Sequence, residues 1–467
     1  MSAAVAPVIR PAVASGATRP NIVFVVADDL EYGMLPHFPV ITQQLVQQGA
    51  SFDRFFVTNS WCCPSRTSIL RSQYVHSHGV LTNTAPEGGF DRFHTLGLER
   101  STVGTWMQEA GYRTALMGKF LNHYPGTTAA ETYVPPGWHE WDVPVRNLYQ
   151  EYGYRLNENG HLVDHGWGEA DYLEDVLAGR ARDFITAAGQ DPFFLYLAPI
   201  APHNPANPAI RHVDAFPGAQ APRTPSFNQP DVSEEPEWLR SRPPISQKGI
   251  DEIDERYRRR LRAMLGVDDL VGSVIATLRD TGKLDNTYIF FTSDNGFHLG
   301  THRLKQGKTT PFEESIHIPL VVRGPGIAPG TVINEMTATV DLATTFAALG
   351  GAAVPPFVEG RSLVPLLQRR RPSPWRRNVL VEFSRPTDES SAAQTPVPSY
   401  EALRTETYTY VRYQTGEIQL YDLTRDPYEL HNIARLADPG LLLGLQERLS
   451  RMHTCAGANC LEADSAD

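Results

Sequence analysis

Apolar runs of strand length recur along the chain, separated by stretches with helical spacing. The first, residues 21–26, is apolar after its opening asparagine, a pattern that suits a strand buried on both faces. Similar runs stand at residues 112–117, 193–198, 287–292 and 319–322. Residues 101–110 and the long segment 252–281 read as helices; in the latter Leu261, Leu265, Leu270, Val274 and Leu278 recur at roughly helical spacing. Strands alternating with helices predict an α/β fold with a mainly parallel sheet flanked by helices.

Two stretches break this rhythm. Residues 126–189 are aromatic, polar and turn-rich, and Asn159-Gly160 after Tyr152-Gly153-Tyr154-Arg155-Leu156 signals a hairpin. Residues 202–244 carry many prolines and little apolar periodicity, so they read as a long surface excursion of the kind that lines sites on α/β scaffolds. The basic, proline-bearing run at 369–377 reads as a solvated linker. Beyond it, strand-like runs at 378–383, 407–413 and 418–421 and a helix at 440–452 predict a small α+β domain over 378–467. The α/β domain then spans 20–368. Residues 1–19 lack a basic start and a firm apolar core and read as a disordered leader, not as a signal peptide.

Composition narrows the partners. The 467 residues suffice for one large core and a smaller domain. A formal net charge of −11 argues against a general nucleic-acid binder and against a long polyanion, so a small ligand or a chain end fits better. No run of about 20 apolar residues is present to span a membrane. Cys455 and Cys460, with four residues between them, read either as a small disulfide loop, which would favour an oxidising compartment, or as two reduced thiols. The compartment stays open.

The chemistry gathers just past the strands. Asp28-Asp29 follows the first strand and Asp294-Asn295 follows the run 287–292. In a parallel α/β sheet such positions meet in the functional crevice. Carboxylates converging there need a cation between them, and the oxygen set suits a hard divalent ion, calcium more readily than magnesium because it tolerates irregular geometry.

Cys62-Cys63-Pro64-Ser65-Arg66, then Leu70 and Tyr74-Val75-His76-Ser77-His78-Gly79, resembles the active-site segment of type I sulfatases, the formylglycine-dependent members of the alkaline-phosphatase-like superfamily. The resemblance extends in family order through Gly118-Lys119, Ala201-Pro202-His203, Ser293-Asp294-Asn295-Gly296, Lys308 and Gly324-Pro325-Gly326 to Leu420-Tyr421-Asp422-Leu423 and Glu429-Leu430-His431-Asn432. Within the family, Gly118-Lys119-Phe120-Leu121-Asn122 and Gly266-Val267-Asp268-Asp269-Leu270-Val271 are similar to N-acetylglucosamine-6-sulfatases.

That resemblance implies an alkaline-phosphatase-like fold and hydrolysis of a sulfate monoester, a carbohydrate O-sulfate such as glucosamine 6-sulfate or a small aryl or alkyl sulfate. It implies that a formylglycine-generating enzyme oxidises Cys62 to an aldehyde, whose hydrate attacks sulfur and later expels sulfate without water attacking sulfur. Asp28, Asp29, Asp294 and Asn295, with the modified Cys62, would hold the metal; Arg66 would hold the hydrated aldehyde; Lys119, His203 and Lys308 would surround the sulfate. His203 or Lys308 would protonate the leaving oxygen. Lys308 is preferred to Lys305 because Thr309-Thr310-Pro311-Phe312-Glu313-Glu314 follows it. His298 and His302 would border the pocket or be structural, with His302 assigned to substrate.

Two departures stand out. Arg71-Ser72 replaces the usual Thr-Gly, and Leu121 replaces the histidine of Gly-Lys-Trp-His that serves as elimination base. Either Asn122 only positions the group, or His76 or His123 takes the proton; Asn122 and His76 are assigned to substrate. Two other readings compete: a phosphonate monoester or phosphodiester hydrolase using the same site, and a catalytically silent sulfoglycan-binding protein in which Cys62 stays a thiol.

Overall fold

The structure, a computed structural model, describes residues 19–387 and 396–466, so the leader lies almost wholly outside it. Asn21–Ala27 is the central strand, and all seven of its residues are buried. Parallel neighbours cover both of its edges: Phe193–Ala198 on one side and Thr287–Ser293 on the other. Arg113–Gly118 and Glu140–Arg146 extend the parallel core past Phe193–Ala198. Beyond Thr287–Ser293 lie Leu320–Arg323, which runs antiparallel, then Ala50–Phe52 and Thr331–Ile333. The hairpin Arg155–Glu158 and His161–Asp164 closes the other edge of this ten-stranded sheet. Its turn is Asn159-Gly160, both at positive φ, as a two-residue hairpin turn requires.

Alternation along the central strand feeds two cores. Ile22, Phe24 and Val26 pack on the face that includes Ile69, Trp106 and Phe346; Val23, Val25 and Ala27 pack on the face that includes Leu177, Leu261 and Val274. The long helix extends further than its periodicity suggested, over Gln247–Asp280, with Ser246 accepting at its N-cap. Residues 126–189 hold more order than their composition implied, including the buried strand Glu140–Arg146 and the helix Leu173–Ala187.

The C-terminal unit is a four-stranded antiparallel sheet, Asn378–Phe383, Tyr400–Thr405, Tyr408–Tyr413 and Ile418–Asp422, packed against the helix Pro439–Thr454. Its second strand was not legible in sequence. Cys455 and Cys460 are joined in a disulfide. Arg369, Arg370 and Arg371 are exposed, as a solvated linker requires, but Arg376 a few residues on is buried between Asp341 and Asp464. Among the described residues, no helix is long and apolar enough to cross a membrane.

Candidate active site

Strand register builds the site. Ala27 pairs with Ser293, so the next residues, Asp28 and Asp294, emerge side by side. Gly118 pairs with Ala198, which brings Lys119 to the same end of the sheet. A Cβ on Gly118 would lie 2.2 Å from the Ala198 carbonyl oxygen, and its φ is +97°, so glycine is needed for Lys119 to enter here. Asp29 takes a left-handed backbone (φ 71°), and its N–H donates to Asp294 Oδ1 at 3.1 Å.

Cys62 opens the buried helix Cys62–Arg71, at the end where the helix dipole favours negative charge. Its Sγ lies 3.3 Å from Asp28 Oδ1, 3.9 Å from Asp29 Oδ1 and 2.7 Å from Lys308 Nζ. The same helix ends at Ser72 in the left-handed conformation that glycine usually supplies. Here the serine hydroxyl bonds the Val340 carbonyl and accepts from Gly360 N–H, so one departure from the family pattern has its own anchor.

Each buried carboxylate has a cation. Lys119 Nζ donates to Asp28 at 2.5 Å, Lys308 Nζ to Asp29, and Arg66 Nε to Asp294 at 2.7 Å. Arg66 also donates to the Lys119 carbonyl at 2.8 Å. Burial alone would push Asp28 and Asp29 up, but Lys119 and Lys308, each assisted by His203, hold them below the usual carboxylate range. Burial and the Asp28 charge push the Cys62 thiol up, so an unmodified cysteine here is a neutral thiol at physiological pH.

His203 Nε2 lies 3.8 Å from Asp29, and its Nδ1 is 2.7 Å from the Asn204 carbonyl. Burial lowers its pKa, which favours neutral imidazole with the proton on Nδ1, donated to that carbonyl. Nε2 then faces the carboxylates as an acceptor. Tyr149, absent from the sequence assignments, stacks on His203 at 4.1 Å and lies 5.1 Å from Lys119 Nζ. Asn122 donates to the Tyr149 hydroxyl at 3.0 Å, which places it behind the tyrosine. A cleft of about 400 Å³, lined by Trp61, His203, Asn204, Arg242, Gln306 and Lys308 among others, opens above these groups.

A second unassigned residue supports the floor. Arg260, fully buried, donates to the carbonyls of Asp29 and Pro202 and to Glu31 at 2.6 Å. It ties the Asp29 loop to the turn that carries His203. In sequence it hides within Arg258-Arg259-Arg260, which looks like a solvated helix face.

Several other residues singled out in the sequence have partners of their own. His76 has both ring nitrogens engaged elsewhere, Nδ1 with Glu382 at 3.0 Å and Nε2 with the Cys455 carbonyl at 2.9 Å. His302 is fully buried, stacked on Phe312 at 3.8 Å with Nδ1 against Gln229, and has no surface to offer a substrate. His298 is equally buried between Thr301 and Thr310. His123 is exposed, and Lys305 is half-exposed with Glu252 as its nearest acid. Lys308, by contrast, reaches Cys62 Sγ.

The donor set suits a hard cation. Asp28, Asp29, Cys62 and Asp294 offer ligand atoms all within 4.8 Å of one another. The Asn295 amide points its nitrogen at Asp29 (2.7 Å), leaving its buried oxygen without a partner, and a half-turn about its last bond would exchange the two.

These features agree with known proteins. The sulfatase family profile matches residues 20–352, and a profile for the C-terminal part of N-sulphoglucosamine sulphohydrolase matches 300–453. The chain is 34% identical to goat (Capra hircus) N-acetylglucosamine-6-sulfatase over 96% of its own length and 86% of that protein. A solved structure in complex with its substrate D-glucosamine-2-N,6-O-disulfate superposes with a TM-score of 0.79 at 23% identity, covering 92% of this chain and 97% of the other. The phosphonate monoester hydrolase of Silicibacter pomeroyi gives 0.72 at 25%, covering 93% and 94%. The chain belongs to the sulfatase family, whose members are sulfuric ester hydrolases.

Proposed function

We propose that this sulfuric ester hydrolase removes a carbohydrate O-sulfate, the 6-O-sulfate of a glucosamine unit or chain end, through an aldehyde derived from Cys62. The observation that carries the reading is the placement of Cys62 Sγ between Asp28 and Lys308 at a buried helix N-terminus below an open cleft. The 34% identity to an N-acetylglucosamine-6-sulfatase supports the sugar.

Asp28, Asp29, Asp294 and Asn295 would hold calcium, or less readily magnesium, which when bound neutralises sulfate oxygens and acidifies the nucleophilic hydroxyl. Arg66 has a buried guanidinium nitrogen without a partner, available to the hydrated aldehyde. Lys119 and Lys308 supply positive charge to the sulfate. Lys308, already against the nucleophile, is the better placed donor to the leaving alcohol oxygen. His203 presents an acceptor Nε2 and so suits the proton removal that releases sulfate. It takes the role that Asn122, His76 and His123 are not placed to fill. The Cys455–Cys460 disulfide fits maturation in an oxidising compartment.

The test is mass spectrometry of the tryptic peptide 55–66 from protein made with a formylglycine-generating enzyme, followed by rates on matched esters. An aldehyde at Cys62 with preference for N-acetylglucosamine 6-sulfate is expected. Preference for a phenylphosphonate ester would favour the hydrolase whose fold this chain shares. An unmodified thiol in active protein would overturn the nucleophile, and binding of sulfated sugar without turnover would favour a silent binding protein.

A further inference from the structure

Away from the catalytic floor, three elements distant in sequence converge on one point. His76 comes from the short helix Val75–His78, Glu382 from the first strand of the C-terminal sheet, and His453 from the terminal helix. His76 Nδ1 lies 3.0 Å from both Glu382 carboxylate oxygens, and His453 Nδ1 lies 3.3 Å from Glu382 Oε1. All three residues offer ligand atoms within 4.8 Å of one another.

We propose that His76, Glu382 and His453 form a second metal site, structural in role, for a zinc-class divalent ion. Zinc takes nitrogen and oxygen ligands at about 2.0–2.2 Å in a tetrahedron, so its ligand atoms stand about 3.3–3.6 Å apart. The observed separations of 3.0 and 3.3 Å need only small adjustment to reach that figure. Two imidazoles with one carboxylate select such an ion over calcium, which prefers an all-oxygen shell.

Further features support a cation here. His76 Nε2 is 2.9 Å from the Cys455 carbonyl, next to the disulfide. That contact fixes the proton on Nε2 and leaves Nδ1 as the ligand atom, the outer-shell arrangement of metal-bound histidines. Glu382 also stands directly opposite Glu401 in the antiparallel register, a like-charge pair that is unfavourable without a positive charge between. Arg412 meets Glu401 from its other neighbour at 2.6 Å, while Glu401 also reaches His453 at 3.3 Å. A cavity of about 420 Å³, lined by Glu382, Glu401, Arg412 and His453 among others, provides entry and room for a water as fourth ligand. Such an ion would staple the C-terminal sheet and terminal helix to the segment that carries Cys62.

The experiment uses full-length, chelator-treated protein saturated with calcium, titrated with zinc by calorimetry and, in parallel, with cobalt. Wild type is expected to bind one zinc that calcium does not displace, to melt at a higher temperature with it, and to give the visible absorption of four-coordinate cobalt. His453→Ala should weaken that zinc roughly 100-fold or more and lose the thermal shift. Its sulfatase activity and circular dichroism should match wild type, which excludes misfolding. The same tight zinc in wild type and His453→Ala, or no zinc in wild type under calcium, would overturn the proposal and leave the cluster a proton-held imidazolium–carboxylate bridge.

Discussion

Two sets of buried acids behave in opposite ways. At the cleft floor, Asp28 and Asp29 are fully buried yet held below the usual carboxylate range, because Lys119 and Lys308 are delivered to them. Asp142, Glu151 and Glu174 are just as buried, and among the described residues no lysine pairs with any of them. Asp142 has only Arg180 at 4.0 Å, and burial pushes it up to about 7. Glu151 and Glu174 face each other and both are pushed up by burial, so a proton shared between the two carboxyls compensates them. Burial of an acid therefore marks neither function nor structure. The compensating group decides: an acid held by lysines keeps its charge, whereas one without them is pushed toward its protonated form.

Removing a cation should turn the first group into the second. Lys308→Ala leaves Asp29 buried without its main partner and strips positive charge from residue 62. Turnover of a sulfate ester by aldehyde-bearing protein should fall roughly 1,000-fold. An unchanged kcat would break the comparison. Arg260→Met tests whether the floor depends on its support, since Arg260 holds the Asp29 loop against the His203 turn. A drop of roughly 100-fold in kcat, with the melting transition still cooperative, is expected from misplacement on the scale of an ångström. A variant with wild-type turnover would make Arg260 a packing residue only.

The second set should respond to pH instead. Because the folded pKa of Asp142 is raised above its ordinary 3.8, its contribution to stability is complete below about pH 4 and is lost as pH rises through about 7. Asp142→Asn has no such loss. Urea unfolding should find the variant near wild type at pH 4 and more stable by roughly 4 kcal/mol at pH 8. Equal pH profiles would mean that Asp142 is ionised and paired after all.

Local pattern was enough for the frame. The buried runs named the parallel strands Asn21–Ala27, Arg113–Gly118, Phe193–Ala198 and Thr287–Ser293 within a residue or two, because a strand covered on both faces must be apolar throughout, but they missed the parallel strand Glu140–Arg146. Acidic pairs just past two such runs pointed to the crevice, and the cysteine motif pointed to Cys62, which stands against those acids. The short strand Ala50–Phe52 and the strand Tyr400–Thr405 left no comparable trace, since three residues set no period and Tyr-Glu-Ala-Leu-Arg-Thr suits a helix as well.

The sequence by itself determined the fold class and singled out Cys62, the lysines Lys119 and Lys308, and the acids beneath them, because each sits in a local pattern that carries its own meaning. Only the tertiary structure decided which histidines serve the cleft. His76 lies within the motif yet turns to Glu382, 306 residues away, while Arg260 reaches Asp29 across 231. Nothing local distinguishes those partners: a buried charge is assigned by whatever packing brings against it, and that is set by strand register and domain contact rather than by neighbours along the chain.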